Sequence, residues 1–326
     1  MSDMEKKQFG VLDRLLRVRE FGALTGLLMI MAVFTILSNK FLTWDNFISI
    51  FTTSSELGII AIGTCFLMIS GEFDLSVGSV FAVAPMLGAL LSNAGVPIAI
   101  AFVISLIAAG LIGLLNGVIV TQAKIPSFIA TLGSMMFFRG VLLAVSGGFP
   151  IDYMGKEAGF LNALGGKIFF GMRASGIWFI LATIIFSVIL NRTKYGNHVF
   201  AVGGNAGTAK AVGINVVKVK IINFIIASVL AGLAGFTMFG RFHSIDPTAG
   251  QLLELEAIAS SVIGGALLTG GYGSIVGAFI GAFLIGVLRS GLILAGAPAY
   301  WYQAFIGVIL VISVIVNTKI RKAVAG

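Results

Sequence analysis

The chain has 326 residues, of which 58% are hydrophobic and only 10% charged, with a net charge of +8 and a mean hydropathy of +1.07. A soluble globular protein carries about 25% charged residues, so this chain cannot cover itself with polar surface and must have lipid as its solvent. The single cysteine, Cys65, gives no disulfide framework. The positive charge does not point to nucleic acid, because the basic residues gather in short segments beside apolar runs, as topology signals do.

The chain opens on a polar, basic tail, residues 1–20, with no small-residue cleavage site of the kind that ends a signal peptide. A spanning helix needs about 20 mostly apolar residues. Ten stretches qualify as candidates, at roughly 21–38, 56–70, 76–92, 97–121, 127–146, 174–191, 220–240, 253–269, 273–291 and 300–317. The sequence thus predicts an all-α polytopic membrane protein of about ten transmembrane helices (range eight to eleven), some short or broken. It forms a single transmembrane domain over 21–318, followed by a short tail, 319–326. The 43 glycines suit close helix packing in a bilayer.

Lys and Arg set the orientation. With both termini cytoplasmic, 14 of these residues fall on inside segments and 5 on outside loops, while Arg139 and Arg289 lie within spans. Two long polar loops then face opposite sides, 147–173 outside and 192–219 inside. Arg139, in the outer half of the fifth span, is expected to snorkel outward or to pair within the bundle. Trp301 and Tyr302 fit an interfacial aromatic belt.

The stretch GEFDLSVGS (71–79) places Glu72 and Asp74 between the second and third spans. Asp74 or Ser76 can cap the helix that starts near Ser76; the second reading of Asp74 is that it lines a solute path. Glu72 needs a partner, water or the inner surface. GGYGS (270–274) makes a similar glycine-rich break between the eighth and ninth spans, for a tight turn or for close approach to the path. The two stretches share a first glycine, an aromatic and a final Val-Gly, a weak hint of internal duplication.

No energy source or catalytic centre is visible in the residues. There is no GxxxxGK[ST] phosphate loop, no GxSxG and no HExxH. The two histidines, His198 and His243, fall on opposite sides, so no His-based metal site is expected. An ion-coupled secondary carrier using Glu72, Asp74 and Arg139 is the alternative that needs no partner.

The inside loop carries AVGGNAGTAKAVGINVVKVK (201–220). Gly203-Gly204-Asn205 marks a turn, 206–212 is predicted to form a two-turn helix, and Gly213 supplies a left-handed stop. Two readings stand for this helix: a rigid element that docks into a partner's groove, or a turn resting on the headgroups.

This segment resembles the coupling segment of permease subunits of bacterial ABC importers for monosaccharides, of the ribose, xylose, galactose and autoinducer-2 type. GEFDLSVGSVFAVAPMLGALL (71–91), GLLNGVIVTQAKIPSFIATLGSMMFFRGV (113–141, with Asn116-Gly117) and ELEAIASSVIGGALLTGGYGSIVGAFIGAFLIGVLRSGL (254–292) resemble three further blocks of that family in the same order. Glu72 departs from the pattern, since the family usually has a small residue there. GGALLTGG stands where the family often reads GGTSLFGG, and Glu256 where aspartate is commoner.

The resemblance implies a passive permease subunit in the bacterial inner membrane, not an enzyme. Its partners would be ATP-binding subunits, which hold the ATP and Mg, a periplasmic sugar-binding protein and a second permease subunit. Gly203, Gly204, Asn205, Ala206, Lys210, Ala211 and Gly213 would couple to the ATPase. Gly71, Glu72, Asp74, Ser76, Gly78, Asn116, Gly270 and Gly271 would form the helix breaks or the solute path. Relatives carrying amino acids or nucleosides are the nearest alternative within the wider superfamily.

Overall fold

The computed structural model describes residues 20–155, 158–298 and 300–325. Thirteen α-helices account for most of the described chain, and the only β-structure among the described residues is one two-residue antiparallel pair and one isolated bridge. The helices are α1 (Phe21–Leu37), α2 (Trp44–Ile69), α3 (Val77–Asn93), α4 (Ile98–Gln122), α5 (Ser127–Ser146), α6 (Ala158–Gly165), α7 (Ser175–Arg192), α8 (Lys194–Gly204), α9 (Ala206–Ala211), α10 (Val216–Phe242), α11 (Leu253–Ile263), α12 (Ile275–Leu294) and α13 (Tyr300–Ala325). Six of these, α2, α4, α5, α7, α10 and α12, are long and apolar enough to cross a membrane, and α1, α3 and the described start of α13 are shorter apolar helices. The protein is an all-α, multi-pass membrane protein.

The bundle is built around α2 and α10, which pack on each other and on α3, α4, α11 and α12. Nearly every residue of α2 from Ser54 to Ile69 is buried. Small residues allow the helices to approach closely, as bilayer packing requires where lipid is as apolar as the side chains. A Cβ on Gly113 of α4 would lie 2.5 Å from the Phe224 carbonyl oxygen of α10. The α5 and α7 surfaces are mostly exposed and apolar, as expected of faces turned to lipid or to another apolar surface. Trp301 is half exposed at the start of α13, whereas Tyr302 turns inward, its ring 4.5 Å from the Arg289 guanidinium.

Helix starts follow the cap chemistry of the sequence. Thr43, Thr193, Asn205, Asn215 and Ser274 each accept a backbone N–H of the helix they precede. Gly147 closes α5 with φ +62°, at the predicted boundary.

Three boundaries differ from the sequence expectation. The second span begins at Trp44 rather than near 56. The polar run Thr52–Glu56 stays helical and buried because Thr52 and Ser55 donate to the carbonyls of Ile48 and Phe51 (2.8 and 2.6 Å) and Glu56 pairs with Arg241 (3.2 Å). The eighth span, expected over 253–269, stops at Ile263. Its 11 residues reach only about 16 Å at 1.5 Å per residue, about half of a hydrocarbon core. The inside loop contains a second helix, α8, missed because its three glycines, Gly196, Gly203 and Gly204, read as loop, the last two as the turn expected at 203–205.

Connections predicted for the same side meet one another. Residues 151–152 pair with 244–245, and Asn93 at the end of α3 donates to the Asp152 carbonyl (2.9 Å). At the opposite end, residues 69–71, 203–204 and 269–271 are in contact. The predicted tail 1–20 lies outside the described residues except for Glu20, whose carboxylate accepts from Ser274 Oγ.

Candidate functional site

The α2–α3 break is the polar centre of the bundle. Gly71, at φ +86°, closes α2, and its N–H bonds to the Met68 carbonyl (2.9 Å). The chain then runs without helix to Ser76. Backbone groups exposed there must find partners, since no water competes for them inside a bilayer. Side chains of α5 supply two: Phe73 N–H donates to Ser127 Oγ (3.2 Å) and Leu75 N–H to Thr131 Oγ1 (3.1 Å).

Asp74 is fully buried, and its Oδ1 accepts from Ser76 N–H (2.8 Å) and Ser76 Oγ (2.6 Å). Asn116 of α4 donates to Ser76 Oγ (2.8 Å), and Ser228 of α10 is a further polar neighbour of the carboxylate. One carboxylate, two hydroxyls and an amide from three chain segments therefore form one cluster. Ser76 makes no side-chain bond to the first turn of α3, so Asp74 holds the turn that leads into the helix. Gly78, in that first turn, lies against the Gly250 carbonyl and the Glu254 carboxylate.

Glu72 finds its partner on α10, where the Lys220 ammonium pairs with its carboxylate. The pair borders a cleft of about 330 Å³. The sequence left a partner, water or the inner surface open for Glu72, and the fold supplies a partner from a residue 148 positions away.

The predicted coupling segment forms α8, α9 and the turn at Gly213. Asn205 caps α9 by accepting from Thr208 N–H (2.9 Å), and Gly213 ends the segment at φ +88°. Ala209 is buried, whereas Lys210, Ala211, Val212 and Gly213 are exposed; Val212 keeps 72% of its surface accessible. Tyr195 of α8 donates to Asn223 Oδ1 of α10 (2.6 Å), fixing the segment to the bundle, and burial raises its phenol above the ordinary range.

Three glycine-rich stretches that are far apart in sequence converge at one backbone junction. Gly203 at the end of α8 sits against the Ile69 carbonyl, so that any side chain would collide with it. A Cβ on Gly270 would lie 2.8 Å from Gly71 Cα, and one on Gly271 would lie 2.7 Å from Gly204 Cα. Gly271 N–H donates to the Ile69 carbonyl (2.8 Å), joining the 264–274 break to the end of α2. Ala206 and Lys210 are outside this junction. The two breaks suspected of duplication therefore touch.

The far end of the bundle carries its own charged contacts. Arg139 of α5 donates to the carbonyls of Pro247 (2.6 Å), Ala249 (2.9 Å) and Gly78 (3.1 Å), tying α3 to the loop before α11. In that loop the Thr248 hydroxyl and N–H hold Asp246 below its ordinary carboxylate range. Arg289 of α12 makes a two-pronged contact with Glu256 of α11 (2.7 and 3.0 Å). Sequence reading did not foresee the roles of Ser127, Thr131, Ser228 or Lys220. Only the serine–threonine spacing in SFIAT hinted at hydroxyls on one face of α5. Among the described residues no cluster of three metal-ligating side chains occurs.

Comparison with known proteins places this architecture. Residues 46–314 match the family model described as branched-chain amino acid transport system / permease component. The chain is 36% identical over 302 residues to the ribose import permease protein RbsC of Bacillus subtilis (strain 168), covering 93% of this chain and 94% of that protein. It is 34% identical to the ribose import permease protein RbsC of Escherichia coli (strain K12), over 92% and 94% of the two chains. It is 31% identical to the autoinducer 2 import system permease protein LsrC of Yersinia enterocolitica, over 94% and 84%. No solved structure matches. This chain belongs to that family of transport-system permease components, a family of membrane transport subunits rather than of enzymes.

Proposed function

We propose that this chain is the membrane-spanning permease subunit of an ATP-driven ABC importer for a monosaccharide or a similar small polar solute. The observation that carries the reading is the junction of Gly71, Gly203 and Gly270, in which the end of α8, directly before the exposed α9, is in backbone contact with both helix breaks. The names of the related import permeases for ribose and autoinducer 2 support the sugar class. In this reading ten spans, the eighth completed by the 264–274 break because α11 alone is too short, cross the inner membrane with both termini cytoplasmic, and 21–318 form one permease domain.

The mechanism follows from packing. Separate subunits bind ATP and Mg²⁺ and close on each other. A groove on each holds α9, with Asn205, Lys210, Ala211 and Gly213 at its edge. The close glycine contacts leave no slack, so a shift of α9 moves the end of α2 and the 264–274 break together. Two permease subunits enclose the path, and a periplasmic binding protein delivers the solute. The cluster of Asp74, Ser76 and Asn116 keeps the α2–α3 break in one shape while it moves, or turns a hydroxyl toward the solute.

The test is reconstitution with the ATPase and the binding protein encoded beside this gene. ATP hydrolysis stimulated by the sugar-loaded binding protein, with sugar uptake, is the expected result. Uptake by the isolated chain driven by a proton gradient would sink the reading.

A further inference from the structure

We propose that the cleft beside the Glu72–Lys220 pair binds the phosphodiester headgroup of an anionic phospholipid. The cleft opens where α4 ends, where the α4–α5 turn passes, and where α10 begins. Three helix ends at one level mark the boundary between hydrocarbon and water.

The lining has two chemistries. Val120, Ile125 and Val217 give an apolar wall, while Lys124, Lys220 and Thr121 bring two ammonium groups and a hydroxyl to the same space. Ile125 and Val217 are 39% and 37% exposed at the rim, where an acyl chain would lie. The first turns of α5 and α10 both reach the cleft through Pro126 and Val216, and neither helix carries an acidic residue in that turn. Their free N–H groups add positive potential.

The charges are unequal. Lys220 is partly neutralised by Glu72. Lys124 makes no ion pair among the described residues, is exposed, and stands at φ +56°, a backbone conformation that favours glycine. A glycine would close α4 there without strain, yet the position holds a cation that lines the cleft. A free inorganic anion would gain nothing from the apolar wall, whereas a lipid satisfies both chemistries with its headgroup and the glycerol end of its chains. Basic pockets between spanning helices at the membrane surface recognise lipid headgroups in this way.

The experiment uses the full-length chain in detergent and native mass spectrometry, with dioleoylphosphatidylglycerol, dioleoylphosphatidylcholine and inorganic phosphate as probes. The expected result is preferential retention of the phosphatidylglycerol. Lys124→Gln should weaken that retention about fivefold, the fold-change of one lysine acting on an anionic lipid surface. Lys218→Gln, on the same helix end as Lys220 but outside the cleft, should leave it unchanged. Equal retention of the two lipids, or equal loss in the two variants, overturns the proposal. Displacement of phosphatidylglycerol by millimolar phosphate overturns the lipid assignment in favour of a soluble phosphate. The transport reading does not depend on the outcome, since retention is measured without the ATPase or binding protein.

Discussion

Gly71 and Gly270, one closing α2 and the other in the break after α11, approach so closely that a Cβ on Gly270 would lie 2.8 Å from Gly71 Cα. Gly270 also stands at φ +81°. Gly270→Ala therefore meets both a backbone penalty and a collision, and should destabilise the purified chain by about 1–3 kcal/mol. Gly133 in α5 has ordinary helical geometry and open space around its Cα, so Gly133→Ala should be neutral or slightly stabilising. Thermal melts of the two variants in detergent compare them directly. Equal melting would mean that the junction is not tight.

Gly213 ends the cytoplasm-facing segment of the proposed topology at φ +88° with no neighbour around its Cα. Gly213→Val forces a β-branched residue into the left-handed region and should reshape the turn after α9 while leaving the bundle folded. In the reconstituted complex, ATP hydrolysis should continue while uptake falls by about tenfold or more, the loss expected when about 1.4 kcal/mol of coupling disappears. Uptake equal to that of the parent chain would count against a docking role for α9.

The Glu72–Lys220 pair keeps side-chain exposures of 12% and 20%, so water screens it only in part. Removing one partner leaves a half-buried charge, which costs more than removing both. Glu72→Gln and Lys220→Met should each destabilise, and the double variant should recover part of the loss. A double-mutant cycle should give a coupling of about 1 kcal/mol or more. Additive losses would show that the two groups do not stabilise each other.

Asp74 acts through one carboxylate oxygen, which accepts twice from Ser76. Asp74→Asn keeps a carbonyl oxygen in place and should be the milder change. Asp74→Ala orphans the buried Ser76 N–H and hydroxyl, at about 1–3 kcal/mol for an unsatisfied donor. Amide exchange across residues 70–78 is the readout. Equal protection in both variants would show that Asp74 does not hold the turn.

Arg139 bonds to three carbonyls from two segments. A lysine carries one donor head where arginine carries a planar fork, so Arg139→Lys cannot bridge all three. Proteolysis and exchange should increase over residues 246–252 while the cluster at Asp74 stays protected. An unchanged loop would mean that the Arg139 contacts do not anchor it.

The solvent of this protein, its helical class and the position of most spans were legible in the sequence, because a continuous apolar run records burial in lipid locally. The short helix from Ala206 and the stop at Gly213 were legible for the same reason, since both are set by residues within the segment itself. The polar start of α2 was not legible, because Thr52 and Ser55 bond within their own helix and Glu56 is neutralised by distant Arg241. Nor was α8, whose helix depends on packing Val199 and Val202 into the bundle rather than on propensity.

By itself, then, the sequence determined a lipid-embedded helical chain with glycine-rich breaks near residues 71 and 270 and a glycine-bracketed segment near 203–213. Tertiary structure alone decided that these three stretches form one junction, that Glu72 faces Lys220, and that α5 hydroxyls satisfy the break at Asp74. The reason is physical. A glycine states only that its backbone is free or crowded, and an intramembrane acid states only that it needs a partner. Which backbone crowds the glycine, and which group answers the acid, is fixed when helices that are distant in sequence pack side by side.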